Sequence, residues 1–384
     1  MAFLTSHTSH TSHTSHTSHT SHADYVSYSG QDASPLLAEG LIASQTGLNH
    51  WELDGQRRPL FANPIVEDRK GFGGKDQLIT SPRRRFFEME AEPRAYVCHA
   101  ELMTLLDIDS TVDTSSADVV AEAKLVLRNK ARPTLLTLQR PTYKLFRAQL
   151  DLVHEMSKER RERYVEILPQ VYPAHAWWAQ VVGLRPDRHR MTLEFLDAAL
   201  NFTCSTVFRL KQLFACPRPF EYTGDLQPML MTPGHDSWPS GHATESFLIA
   251  RVLDSFARQD DARAKVDAAL FEVAARIAEN REVAGLHFPA DSAAGRILGD
   301  TLGRLVLWHS AGGQAKVELK SREFLPSKFY ANDTEPRAKP HLPNEVSDFD
   351  KDYGGTTLTD VVDPPVPTQP YMQWLWEKAQ QEWA

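Results

Sequence analysis

Residues 190–219 read RMTLEFLDAALNFTCSTVFRLKQLFACPRP. Within them Met191, Leu193, Phe195, Leu196, Leu200, Phe208, Leu210 and Leu213 recur at three- and four-residue spacing, and nothing breaks the run before Pro217. That period marks a helix with one apolar face. Outward from it, segments 142–157, 159–172, 241–258, 262–284 and 289–310 repeat the pattern. Pro289 stands where a first-turn proline belongs, and Gly312 with Gly313 closes the far end. Segment 117–131, with good helix formers between its apolar residues, reads as helical too. Strand-like alternation is scarce, so an all-α core of six or more helices is expected over 117–312.

The flanks differ in character. Six Thr-Ser-His triplets run from Thr5 to His22, a low-complexity tail (1–22) expected to be disordered. Residues 23–116 are broken by Gly, Pro and charge clusters and read as an irregular extension with brief helices or strands. Lys70–Lys75 lacks the ending of a phosphate loop and reads as a turn. The arm 313–384 is rich in Pro and Asp, then ends in Tyr371, Trp374, Trp376 and Trp383. Such aromatics are expected to bury themselves on their own domain or on a second copy, which would make a homo-oligomer.

Composition narrows the function. The chain is 41% hydrophobic, enough for a substantial core, and its net charge of −8 argues against general nucleic-acid binding. Three cysteines (Cys98, Cys204, Cys216) without a CxxC pair argue against a disulfide scaffold or a Cys-rich zinc site. No run of 18 apolar residues suggests a membrane span, and the first 22 residues lack a signal-peptide pattern. A cytoplasmic protein is expected.

The chemistry lies in three blocks between 211 and 291. In the first, Lys211 sits in the last turns of the long helix and Arg218 just past the break at Pro217, so both cations can converge beyond the helix end. In the second, Pro239-Ser240-Gly241-His242 leads straight into a helix. Ser240 suits an N-cap, yet a glycine-flanked helix start also presents free N–H groups to an anion, with His242 beside them to move a proton. In the third, Arg281 precedes His287 by six residues and Asp291 follows it by four. A carboxylate there can hold one imidazole nitrogen and leave the other as nucleophile or ligand. Together the blocks describe a site for an oxyanion. No Asp/Glu cage for Mg²⁺ or Ca²⁺ and no complete zinc set accompanies them.

These blocks resemble the signature of the type 2 phosphatidic acid phosphatase (PAP2) and vanadium-dependent haloperoxidase superfamily: K-x6-RP, PSGH and SR-x5-H-x3-D. Asn280 replaces the serine before Arg281. The resemblance covers about 80 residues and implies a helical bundle of the chloroperoxidase-like type. In the phosphatases the residue matching His287 attacks phosphorus, His242 protonates the leaving alcohol, and Lys211, Arg218, Arg281, Ser240 and the Gly241 N–H hold the oxygens. In the haloperoxidases vanadate occupies that cradle as cofactor, with His287 its protein ligand and Asp291 behind it, and neither haem, flavin nor zinc is needed.

The signature fits both chemistries. Without spanning helices or a signal peptide, and with long extensions, the chain is expected to be a haloperoxidase using hydrogen peroxide to oxidise bromide or iodide rather than chloride, before transfer to an organic acceptor. His235, five residues before Ser240, matches a His of algal bromoperoxidases where a fungal chloroperoxidase has Phe, and is a candidate for halide tuning. The alternative is a phosphatase acting on a phosphate ester through a phosphohistidine. A third reading, from another class, is an inactive oxyanion-binding protein.

Overall fold

The computed structural model describes residues 86–87, 89–115, 118–171, 175–257, 266–312, 317–326, 355–358 and 371–383. The Thr-Ser-His tract, the Lys70–Lys75 turn and most of the proline-rich part of the arm lie outside them. The chain divides into two compact units, Ala23–Arg94 and one that takes in Ala95–Ala384. In the first, the described residues are the last few, where Arg94 Nη1 donates to Met89 O at 2.7 Å.

The helices among the described residues are α1 (Ala91–Met103), α2 (Tyr143–Ser157), α3 (Arg160–Ile167), α4 (His175–Val182), α5 (Arg190–Phe214), the one-turn α6 (Pro219–Tyr222), α7 (Gly241–Ala257), α8 (Val266–Val283), α9 (Pro289–Ser310) and α10 (Tyr371–Gln381). The helices expected from periodicity at 142–157, 190–215, 241–258 and 289–310 appear as α2, α5, α7 and α9; that expected at 159–172 ends at Ile167 and continues as a 3-10 turn over Pro169–Val171, and of 262–284 the described part is α8. No helix among the described residues is long and apolar enough to cross a membrane.

The all-α expectation needs correction. Among the described residues five strands, β1 (Leu106–Asp113), β2 (Val120–Leu127), β3 (Thr134–Gln139), β4 (Lys320–Phe324) and β5 (Thr356–Thr357), form one sheet in that order. β1, β2 and β3 are antiparallel, β3 and β4 parallel, and β4 and β5 antiparallel. Segment 117–131, expected to be helical, contains β2. Its Ala, Glu, Lys and Leu favour a helix, but Ala121, Ala123 and Leu125 alternate inward while Val120 and Lys124 face solvent. Pairing with strands on both sides overrides the local preference.

Two helices set the position of the site. α7 and α9 pack closely because α9 presents glycines at every fourth position. A Cβ on Gly295 would meet Ser240 O at 2.7 Å, and one on Gly299 would meet Thr244 O at 2.2 Å. The sheet reaches this region through Trp238, whose ring lies edge-on to Phe214 at 4.5 Å and beside Phe324 of β4 at 6.2 Å.

The C-terminal aromatics fold onto this same chain. α10 packs on α5, where Trp376 stacks on Phe256 at 4.5 Å and lies 5.6 Å from Phe195. Glutamates tie down both of its ends. Glu101 accepts the Tyr371 N–H at 2.8 Å, and Glu382 accepts the Met191 and Thr192 N–H groups at the start of α5. Helix starts carry unpaired N–H groups, and carboxylates satisfy them.

Candidate active site

Each candidate side chain of the three blocks sits at or beside a helix end. α5 stops at Ala215, which takes the left-handed conformation (φ 46°) and donates its N–H to Lys211 O at 2.9 Å. Lys211 thus lies in the last turn, buried, with Nζ donating to Asp236 O at 2.7 Å and Ser237 O at 2.6 Å. Burial and the neighbouring Arg218 push its ammonium down to about 7.

Arg218 starts α6, where the Glu221 carboxylate accepts its backbone N–H at 2.6 Å. Its guanidinium donates to Leu286 O at 2.8 Å and His235 O at 3.1 Å. It also lies 3.2 Å from His235 Nδ1. Asp236 O lies 3.2 Å from the same nitrogen, so Nδ1 accepts from Arg218 in one tautomer and donates to that carbonyl in the other. Phe208 holds the same imidazole edge-on at 5.2 Å.

The Ser240 block closes the next side. Ser240 is fully buried and donates its N–H to Asp291 O at 3.0 Å, which ties the start of α7 to the start of α9. Its own carbonyl accepts both the N–H and the hydroxyl of Thr244. Gly241 and His242 form the first turn of α7 and face the cavity.

His287 follows a turn in which Gly285 takes φ +78°. Its Nδ1 lies 2.9 Å from Asp291 Oδ2 and 3.3 Å from Ser237 Oγ. Ser237 Oγ also donates to Asp291 Oδ2 in a short contact, and the same oxygen accepts the Phe288 N–H at 3.0 Å. Asp291 therefore serves twice, as third residue of α9 capping the helix start and as the group orienting His287. Burial first, then the nearby cations Arg218 and Lys211, hold the His287 imidazole well below its ordinary range. It is neutral at pH 7, with Nε2 left for chemistry. Burial raises Asp291 to about 6 against the pull of its donors.

Lys211, Arg218, His235, Gly241, His242 and His287 line one cavity, with Ser240 and Asp291 supporting it from behind. Arg281 is not in its lining. That side chain is fully buried and donates to Ile167 O at 2.8 Å and Gln170 Oε1 at 3.2 Å. Its Nε and Nη1 have no hydrogen-bond partner among the described residues, and burial lowers it to about 9. Asn280, the departure from the motif, joins α8 to Glu166 and Gln170, each at 2.9 Å.

The sequence reading missed Ser237, which bridges Asp291 and His287, and Cys204 and Glu245 in the cavity wall. Ser237 stands three residues before Ser240, and that proximity was the available signal. Cys204 and Glu245 lay on helix faces that periodicity alone assigns to the core.

Comparison with known families matches residues 195–312 to the PAP2 superfamily. A solved structure of a transmembrane PAP2 type phosphatidylglycerolphosphate phosphatase from Bacillus subtilis is similar at 18% identity, covering 42% of this chain and 80% of that one, with a TM-score of 0.28. Comparison with curated proteins gives no match.

Proposed function

With residues 195–312 placed in the PAP2 superfamily, we propose that this chain is a phosphatase-type enzyme that hydrolyses phosphate monoesters through a phosphohistidine on His287. The observation that carries the reading is a neutral, Asp291-held imidazole opening into a cavity walled by Lys211, Arg218 and His242. A phosphoryl group needs little covalent chemistry from the protein beyond a placed nucleophile and fixed positive charge on its oxygens. Lys211, Arg218 and the Gly241 N–H supply that charge and those donors. Arg281, which the resemblance puts on the same anion, lies outside that lining and donates to Ile167 O and Gln170 Oε1 instead.

His287 Nε2 attacks phosphorus as the P–O bond to the alcohol breaks, and His242 gives the departing oxygen its proton. Water then attacks the phosphohistidine, His242 takes back a proton, and inorganic phosphate and the free imidazole are restored. Asp291 and Ser237 hold His287 Nδ1 throughout, so the attacking nitrogen keeps its direction.

The haloperoxidase reading uses the same residues. Vanadate is an oxyanion of the shape this cationic cavity fits, and His287 Nε2 would ligate vanadium while Lys211 and Arg218 hold its oxygens. Bound there, vanadium would supply Lewis-acid activation of peroxide. His235, now a wall of the cavity, keeps that reading in play. It stands second because the Cys204 thiol also lines the wall, where an oxidised halide would consume it.

Phosphate release from an aryl phosphate tests the first reading, with orthovanadate expected to inhibit competitively. An acid-labile, base-stable phosphoenzyme should be trapped in the wild type and be absent from His287→Ala. His242→Ala should lower kcat by about 10²–10⁴-fold while leaving phosphate affinity within a few-fold. Bromide oxidation by peroxide that appears only with vanadate, without phosphate release, would instead establish the second reading.

A further inference from the structure

Glu245 is a carboxylate in the wall of a cavity otherwise furnished for an anion. It lies three residues after His242 on α7, hence on the same helix face. It lines the cavity together with Lys211, Arg218 and His287, yet is only 5% exposed. Cys204 Sγ donates to its Oε1 at 3.3 Å. A carboxylate repels an anion placed beside it and accepts hydrogen bonds. It is therefore ill-suited to the phosphoryl oxygens and suited to a donor on another part of the substrate.

The placement indicates which part. In the reaction above His242 meets the leaving oxygen, and Glu245 stands one helical turn further along the same face. The alcohol is therefore the portion it meets. Val207, Phe208, Pro233 and Leu286 complete the lining and offer apolar contact to a short carbon chain. We propose that Glu245 selects the leaving group: the substrate is a phosphate monoester whose alcohol carries a hydrogen-bond donor, hydroxyl or ammonium, close to the ester oxygen. The term substrate rests on the phosphatase reading; the recognition can be measured by binding alone.

Phosphonates separate the two, because their P–C bond resists hydrolysis. Calorimetry on the full chain would compare 3-aminopropylphosphonate, 3-hydroxypropylphosphonate and butylphosphonate, which differ only in the terminal group. At least one donor-bearing analogue should bind about tenfold or more tightly than the butyl one, as expected for a hydrogen bond to a charged group. The stronger arm tells ammonium from hydroxyl. Glu245→Gln, which keeps an acceptor but loses the charge, should cut an ammonium preference to about threefold or less, and Glu245→Leu should abolish either preference. Equal binding of all three by the wild type overturns the proposal, whether or not the variants fold. So does a preference that survives in both variants. Expected binding without phosphate release from the matching esters would sink the phosphatase reading and leave Glu245's selectivity standing. Binding of none of the three would overturn both.

Discussion

At the scale of single residues, two ionisations bracket the working range of the cavity. Asp291, raised to about 6, must be ionised to hold the His287 Nδ1 proton, so activity is lost as pH falls through that value. Lys211, lowered to about 7, must be protonated to hold an oxyanion, so activity is lost as pH rises through that one. His287 lies well below both and stays neutral. The pH profile of kcat/KM should therefore be a bell with its maximum between about 6 and about 7, after allowance for the second ionisation of the phosphate monoester near 6. A bound anion favours the charged ammonium, so the alkaline limb of kcat should lie higher than that of kcat/KM. Lys211→Arg should move the alkaline limb out of range, because a guanidinium does not titrate there. An unchanged alkaline limb in that variant would mean that another group causes it.

At the scale of elements, the site depends on how closely α7 and α9 approach. The glycine row makes that approach possible, and its members are not equivalent. A Cβ on Gly299 meets backbone, Thr244 O at 2.2 Å, whereas one on Gly303 meets chiefly the Arg251 side chain at 3.0 Å. Gly299→Ala should destabilise by about 1–3 kcal/mol through overpacking, and Gly303→Ala by less, as read by thermal unfolding. Gly295→Ala presses on Ser240 O and Ala243 Cβ, at the point where Ser240 is tied to Asp291. It should lower kcat out of proportion to its effect on stability. Equal melting temperatures for Gly299→Ala and the wild type would show that the helices can part without cost.

At the scale of the whole molecule, the last helix completes the core that carries the site. Trp376 and Trp383 both lie against Phe256, and Trp383 Nε1 donates to Thr192 Oγ1 at 2.9 Å. Trp376→Ala should cost about 3–5 kcal/mol, the range for removing a large buried aromatic. Denaturant unfolding measures it, and a loss under 1 kcal/mol would mean that α10 is dispensable to the core. A chain ending at Pro370 would in addition leave the start of α5 without its Glu382 cap.

Much of this was legible in the sequence, and what was legible was local. Periodicity drew the longer helices from 142 to 310 but not α4 or the one-turn α6, and short spacings put Lys211 with Arg218, Ser240 with His242, and His287 with Asp291 at helix ends. The strand at 120–127 was not legible, because its helix-forming residues alternate inward only once β3 pairs beside it, while β4 joins the sheet from nearly two hundred residues further along the chain. Nor was the cavity wall: Glu245 and Cys204 meet across 41 residues, and Arg281 turns to Gln170 instead of the cavity. The sequence by itself determined the candidate groups and the helices that carry them, since helix period and end chemistry are set within a few residues. The tertiary structure alone decided which groups share one cavity and where the sheet forms, since both depend on contacts between distant segments that neither segment encodes.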